Sequence, residues 1–479
     1  MNNVTVNLKK DNVVISINDH HAPVTWTSTS GTSSDIKDKM KLAAFNTNGH
    51  RYKIYYTNSE FNLDTDVNLN SNSTDAFNNV GLANEKFTIL NGRTVSSIDG
   101  TGLAMGSLAT ATDNTTNQYI NKGIVNITGG NFATKGSPAL SIAYGTINNE
   151  NEIIVDSGIG AYGINGSSLH NNTNGKISIT TEGAGLAAFA SAKNSLLPYE
   201  TDKKINDGTI NVAGDKSIGI YAETNEVASH SGVPYPLNSR QGLIKNNNKI
   251  VMTGDKAVGI LSKGNTVELN GTGSSDITVG TNGIGVYAEN SSTTLLSDYG
   301  FEVKDNGTGI FLKNSFLIPS GKTVEIKYTG STTGTGVGLF YNAGGTNTTD
   351  VKLVNAVNST GGVVGLYASN GGVLTNNASV SGDNGYGIII EGTDIVNNGT
   401  VTLNNPIPGN KSSVGLYTRG INDITNTGDI TVGGKSVGIY GKSNINNTGN
   451  IKVGDSGTGI YSENGNVNLT AGSITVGNQ

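Results

Sequence analysis

The chain reads as an all-β protein, a right-handed parallel β-helix, and three observations predict it. A short phrase returns at a fixed interval: Ser436-Val437-Gly438-Ile439-Tyr440 recurs as Gly457-Thr458-Gly459-Ile460-Tyr461, 21 residues later. A second phrase keeps the same beat, Asn426-Thr427-Gly428-Asp429-Ile430-Thr431-Val432-Gly433 returning as Asn447-Thr448-Gly449-Asn450-Ile451-Lys452-Val453-Gly454. Within one interval lie three short alternating stretches, Val437-Gly438-Ile439-Tyr440, Asn444-Ile445-Asn446 and Asn450-Ile451-Lys452-Val453. A fixed period of this length is the signature of a solenoid, in which each unit packs on its neighbours. Period-two alternation marks half-buried strands, and no stretch leaves room for the crossover helix of a βαβ unit.

Taken in order, the repeats are anchored by a glycine followed by an aliphatic residue. Anchors fall at Gly81, Gly102, Gly160, Gly185, Gly219, Gly259, Gly285, Gly309, Gly338, Gly365, Gly387, Gly415, Gly438 and Gly459, with a degenerate copy at Ala139-Leu140. The predicted coil has three strands in about 21–25 residues, with Gly and Asn at the bends, where positive φ is often required. About fifteen coils stacked ~4.8 Å apart would make a rod on the order of 70 Å long. The expected division is an irregular β-rich start, cap or insertion over 1–78, then the helix over 79–479 with lateral insertions near 190–204 and 225–242. In 1–78, Val4–Leu8 and Val13–Ile17 read as strands and Lys37–Phe45 as one or two helical turns.

Strict alternation assigns the faces. The residue after the anchor glycine is Ile220, Ile260, Val286, Ile310, Leu339, Leu366, Ile388, Leu416, Ile439 and Ile460, an aliphatic column expected in the core. The residue before the glycine shares that face, and the glycine itself points outward. The next column, Tyr221, Leu261, Tyr287, Phe311, Phe340, Tyr367, Ile389, Tyr417, Tyr440 and Tyr461, forms an aromatic ladder. It either stacks at a bend over the glycines or lies exposed as a stripe for sugars or for self-association.

Composition excludes several functions. A net charge of −6 with no Lys/Arg run longer than Lys9-Lys10 or Lys203-Lys204 argues against nucleic-acid binding. The chain has no cysteine, hence no disulfide framework and no thiolate metal site. No signal peptide and no apolar run long enough to span a bilayer as a helix is visible, so the expectation is that a secretion signal and any anchor lie outside this segment. No catalytic site is expected. The four arginines are scattered, and the acidic pairs Asp64/Asp66 and Glu200/Asp202 read as solvated charges outside the regular repeat. The five histidines lack metal-ligand spacing, and no phosphate-binding loop, nucleophile elbow or calcium nonapeptide is present, so neither a metal nor a cofactor is called for.

Recognition is expected on loops that project from the rigid scaffold. Residues 190–204 and 225–242 carry Pro198, Tyr199, Tyr235 and Arg240, residue types favoured at interface hot spots, so these four are candidate ligand-binding residues. The aromatic ladder of Tyr221, Tyr287, Phe311, Phe340, Tyr367, Tyr417, Tyr440 and Tyr461 is the second candidate. Phe316-Leu317-Ile318-Pro319 reads as a packed lateral loop.

The phrase Asn-Thr-Gly-x-Ile-x-Val-Gly followed by Ser-x-Gly-Ile-Tyr resembles the passenger repeats of very large type V autotransporters, and most closely those of fusobacterial autotransporter adhesins. The resemblance covers residues 120–479, is clearest from 360 onward and is weakest over 1–78. It implies a passenger exported through an outer-membrane barrel and displayed on the cell surface, binding host glycans, a host receptor or other bacteria. Attachment to the membrane would run only through a C-terminal barrel, which this chain does not contain. Two other classes stay open: a polysaccharide-active β-helix enzyme, and a stalk that holds a distal binding tip away from the cell.

Overall fold

The computed structural model describes residues 13–19, 22–28, 31–32, 45–46, 51–56, 60–63, 66–68, 77–81, 86–98, 102–107, 118–129, 138–143, 145–164, 167–190, 203–224, 242–331, 333–355, 362–409 and 411–478. Among them every regular element is a strand. The chain divides into two compact units, Met1–Asn248 and Lys249–Gln479.

The second unit is a parallel β-helix built from three columns of in-register strands. One column ends in Val401–Leu403, Ile430–Val432, Ile451–Val453 and Ile474–Val476, paired Val401↔Ile430↔Ile451↔Ile474. The glycine-anchored column contains Val258–Lys263, Ile284–Glu289, Thr308–Lys313, Thr335–Asn342, Gly362–Ser369, Tyr386–Glu391, Val414–Thr418, Val437–Gly441 and Thr458–Ser462. The third runs through Val373–Asn376, Asp394–Asn397, Ile424–Asn426, Ile445–Asn447 and Val467–Leu469. Each strand therefore pairs with its own copy one period on, which is why sequence period and register coincide.

The aliphatic columns are the core. Ile260, Val286, Ile310, Leu339, Leu366, Ile388, Leu416 and Ile439 are all fully buried. Burying each such side chain contributes roughly 1.5–3 kcal/mol relative to leaving it in water. Around them alternation is regular, as in Ile451–Val453, where Lys452 is exposed between two buried residues.

Alternation fails at the anchor glycine, and this corrects the expected faces. Val437–Gly441 has two consecutive buried residues, Gly438 and Ile439, flanked by half-buried Val437 and Tyr440. Register passes from Val437↔Thr458 to Ile439↔Ile460 across the glycine. The glycine points inward, and a Cβ on Gly438 would lie 2.5 Å from the Gly459 carbonyl oxygen and 2.6 Å from the Ile451 side chain. The strand kinks there because only a residue without a side chain lets successive coils approach. The residue before the glycine therefore lies on the outer face, beside the aromatic column.

Phe316–Ile318 is a third-column strand, paired Thr293↔Leu317, and not a lateral loop. Leu317 is buried while Phe316 and Ile318 are exposed, as alternation requires.

In the first unit the same three-column arrangement holds. Thr94–Ser97, Ile124–Ile127, Glu152–Ile164, Lys176–Ala190 and Thr209–Val212 pair in parallel succession. Glu152–Ile164 and Lys176–Ala190 run continuously through two columns, with a register irregularity between Val155 and Ser157. The start differs: Val13–Asp19 pairs antiparallel with both Ala22–Ser28 and Arg51–Tyr56, and the latter joins Phe77–Gly81 in parallel. The expected strand Val4–Leu8 and most of the expected helical stretch Lys37–Phe45 fall outside the described residues.

A buried asparagine column runs inside each unit. In the first, each side-chain amide Nδ2 donates to the next Oδ1 along Asn121, Asn149, Asn171, Asn206 and Asn246, at 2.7–2.8 Å. In the second the series is Asn347, Asn376, Asn397, Asn426 and Asn447, at the same distances. These asparagines are not bend residues of positive φ, as the sequence suggested. In the second unit each holds its bend from within: Asn397 Nδ2 also donates to the Gly399 carbonyl at 3.1 Å and Asn426 Nδ2 to Gly428 at 2.9 Å. Buried amides are stable only when paired in this way.

Candidate binding face

The outer face of the glycine-anchored column in the second unit carries two adjacent lines of side chains. One is the residue before the glycine: Ile284, Thr308, Val337, Val364, Tyr386, Val414, Val437 and Thr458. The other is the aromatic column. Tyr287 stacks on Phe311 with ring centroids 5.1 Å apart, Phe311 on Phe340 at 4.6 Å, and Phe340 meets Tyr367 at 4.9 Å. After an interruption, Tyr417 meets Tyr440 at 5.1 Å and Tyr440 stacks on Tyr461 at 5.1 Å. The rings are half-buried against one another, save Tyr461, which is exposed. They do not cover the glycines, which face the core. Such centroid spacings add to stability beyond the area buried.

Two residues beyond the ring, the same strands carry charges that join neighbouring coils. Glu289 accepts Lys313 Nζ at 2.6 Å, and Lys442 Nζ lies 3.5 Å from Glu463. The tyrosine hydroxyls use the same carboxylates: Tyr287 donates to Glu289 at 3.1 Å, Tyr367 to Glu391 and Tyr440 to Glu463. Burial and the adjacent Glu391 push the Tyr367 hydroxyl up to about 12, and the Glu463 bond does the same for Tyr440. The Tyr440 and Lys442 contacts hold the Glu463 carboxyl below its ordinary value. In the first unit Tyr221 donates to Glu223 in the same pattern.

The interruption lies at one coil, where two residues exchange places. Every other coil of this run from Thr308 to Val437 has a small residue before the glycine and an aromatic three positions later. In Tyr386–Glu391 the aromatic comes first and Ile389 occupies the ladder position, buried. Tyr386 leans towards Tyr417, at a centroid distance of 6.4 Å. Arg419 reaches back across the gap, its guanidinium 5.7 Å from the Tyr367 ring centroid and 3.8 Å from Glu391. Two open grooves meet here and share Thr335, Val364 and Arg419. One, about 480 Å³, is walled by Val337, Phe340, Tyr367 and Glu391. The other, about 540 Å³, is walled by Tyr386, Ile389, Lys411, Ser412, Tyr417 and Tyr440.

Elsewhere on the described surface Glu152 and Glu325 pair with Lys176 and Lys352, and several aspartates accept from the backbone. Asp66 accepts the Thr94 N–H, Asp350 that of Ser379, and Asp429 that of Asn450. Buried Asp276 accepts four donors, from Thr272 N and Oγ1, Gly273 N and Gly300 N. Among the described residues no three His, Cys, Asp or Glu side chains gather into a metal site. Of the histidines, His170 is described, and burial lowers its imidazole below the ordinary value.

The candidate residues Pro198, Tyr199, Tyr235 and Arg240 lie outside the described residues, as do Asp64, Glu200 and Asp202. The structure brings the aromatic residues of the second unit into one face, and adds Tyr386, Lys411, Glu391 and Arg419, which sequence reasoning passed over. A signal was present: Ile389 breaks the aromatic column, and Tyr386 stands three positions before it. No family model, curated protein or solved structure matches the chain.

Proposed function

We propose that the chain is a non-catalytic binding segment of an extracellular, cell-surface adhesin of the autotransporter passenger type, which attaches the cell to a host glycan, a host receptor or other bacteria. The observation that carries this reading is the outward aromatic face, held in one register over successive coils and opening into two grooves. Rings fixed by stacking present flat apolar surface at low entropic cost, and sugars bind through such surfaces. A solenoid braced by internal amides and by cross-coil strands supports this role, since a binding face of this length needs a rigid frame.

The test is binding of the purified chain to a glycan array, to epithelial cells and to partner bacteria. Three proteins are compared: the intact chain, a Tyr367→Ser/Tyr440→Ser variant, and a variant lacking 190–204 and 225–242. Saturable binding by the intact chain, reduced at least tenfold in one of the variants, is the expected result. Binding lost with the loops alone moves recognition from the aromatic face to Pro198, Tyr199, Tyr235 and Arg240. No saturable binding by the intact chain overturns the proposal and leaves the stalk.

A further inference from the structure

We infer that the groove at the ladder interruption is a subsite for a saccharide bearing a carboxylate, with Arg419 and Lys411 as its cationic contacts and the rings of Tyr386, Tyr417 and Tyr440 as its platform. The inference rests on the adhesin reading above and deepens it.

Charge is the first ground. The chain as a whole is acidic, at −6. Yet the second groove is lined by two cations, Lys411 and Arg419, and by no carboxylate, while Thr335 and Ser412 supply hydroxyls. Glu391 lies on the other groove, where it accepts the Tyr367 hydroxyl and faces Arg419 at 3.8 Å. That contact leaves the guanidinium spread between the two grooves. A planar guanidinium is suited to a carboxylate, which it can engage through two parallel N–H donors.

Shape is the second ground. Three tyrosines converge there because the exchange of Tyr386 and Ile389 sets one ring beside the ladder instead of within it. Buried Ile389 and Val364 add apolar lining. Lys411 is joined to buried Ile407 by an antiparallel bridge.

The backbone decides between an acidic saccharide and an acidic peptide. On this face the strands are already paired on both sides within the stack, Tyr386–Glu391 with Gly362–Ser369 and with Val414–Thr418. No free strand edge is offered for an extended peptide to join, so recognition falls to rings, hydroxyls and cations. A rigid hydroxylated ring with one carboxylate uses all three.

The experiment measures affinity of the chain for trigalacturonic acid and its methyl ester, for 3′-sialyllactose and lactose, and for a hexaglutamate peptide. The proteins are the unmodified chain, Arg419→Gln, Lys411→Gln and, as a control on an exposed lysine of another column that lines neither groove, Lys452→Gln. Circular dichroism checks that each variant keeps the β-helix. The expected result is that one acid binds at least tenfold more tightly than its uncharged counterpart, and that Arg419→Gln and Lys411→Gln, but not Lys452→Gln, remove that preference. Equal binding of acid and neutral partner overturns the inference while leaving the adhesin reading standing, as does an acid preference that survives both groove variants. Equal or tighter binding of hexaglutamate overturns the saccharide assignment. If no saccharide binds the intact chain, the subsite is refuted, and cell and bacterial binding then decide separately on the adhesin reading.

Discussion

Two stretches of the second unit close the same coil by different chemistry. Where the third-column strand ends in Asn376, Asn397 or Asn426, the amide bonds upward to the next coil and sideways to the carbonyl two residues on, and Asn447 closes the series by accepting from Asn426 and donating to Gly449. Where the strand ends in Leu269 or Leu295, the end is apolar and fully buried, and the two leucines stack Leu269↔Leu295. The bend after Leu269 is then closed from elsewhere, by Asp276 accepting Thr272, Gly273 and Gly300. The comparison shows that the coil needs an internal plug and a bond across the bend. One asparagine supplies both, whereas leucine supplies only the first, and after Leu269 a longer loop, 270–276, brings its own carboxylate, Asp276.

The largest effect is expected from breaking the amide column at its middle. Asn397→Leu fills the space but strips Asn376 of its acceptor and Asn426 of its donor, leaving buried polar atoms unpaired. A loss of about 2–4 kcal/mol is expected, since each unsatisfied buried group costs about 1–3 kcal/mol. Hydrogen exchange should show it as lowered protection of Asp394–Asn397 and Ile424–Asn426. Replacing Asn376, Asn397, Asn426 and Asn447 together by Leu should cost less than four times the single change, because the partners leave together. Simple additivity in denaturant unfolding would refute the ladder account.

The converse change is smaller. Leu295→Asn places an amide against Leu269, with no amide partner there, and should destabilise by about 1–3 kcal/mol. If Leu269→Asn/Leu295→Asn recovers part of that loss, the column is defined by mutual pairing. If the double variant is as poor as the sum, the local bend matters more.

The smallest effect separates the inner column from the outer. Amides do not titrate, whereas Tyr367 and Tyr440 do, with hydroxyls raised from 10.0 to about 12 by burial and by Glu391 and Glu463. The folded chain thus holds these protons more tightly than an unfolded chain. Their contribution is complete below pH 10 and is lost as pH rises from there to about 12. Absorbance at 295 nm should show late-ionising tyrosines, and Glu463→Gln should bring one of them down. Normal titration of all tyrosines would remove the hydroxyl–carboxylate bonds from the account of this face.

Much of the fold was legible because a solenoid writes its geometry into the period. The buried column from Ile260 to Ile439 follows from aliphatics recurring after glycine. Two things misled. Strict alternation put Gly438 outside, because a kink that turns two successive residues inward has no mark in a period-two pattern. Assigning asparagines to bends of positive φ holds for Asn282 and Asn306, but Asn426 and Asn447 recur in phase with the core instead. The groove was illegible for a related reason: Tyr386 stands one coil before Lys411 and Arg419, and they meet only when the two coils are stacked.

The sequence by itself determined the class of fold, the register of the coils and the aliphatic core, because a repeating pattern can bury a continuous face only by stacking on its own copies. The tertiary structure decided which way each repeated side chain points, which amides pair, and where the aromatic column opens. Those outcomes depend on distances between coils, such as the 2.5 Å that any Cβ on Gly438 would leave to the neighbouring carbonyl, and no spacing along one chain records them.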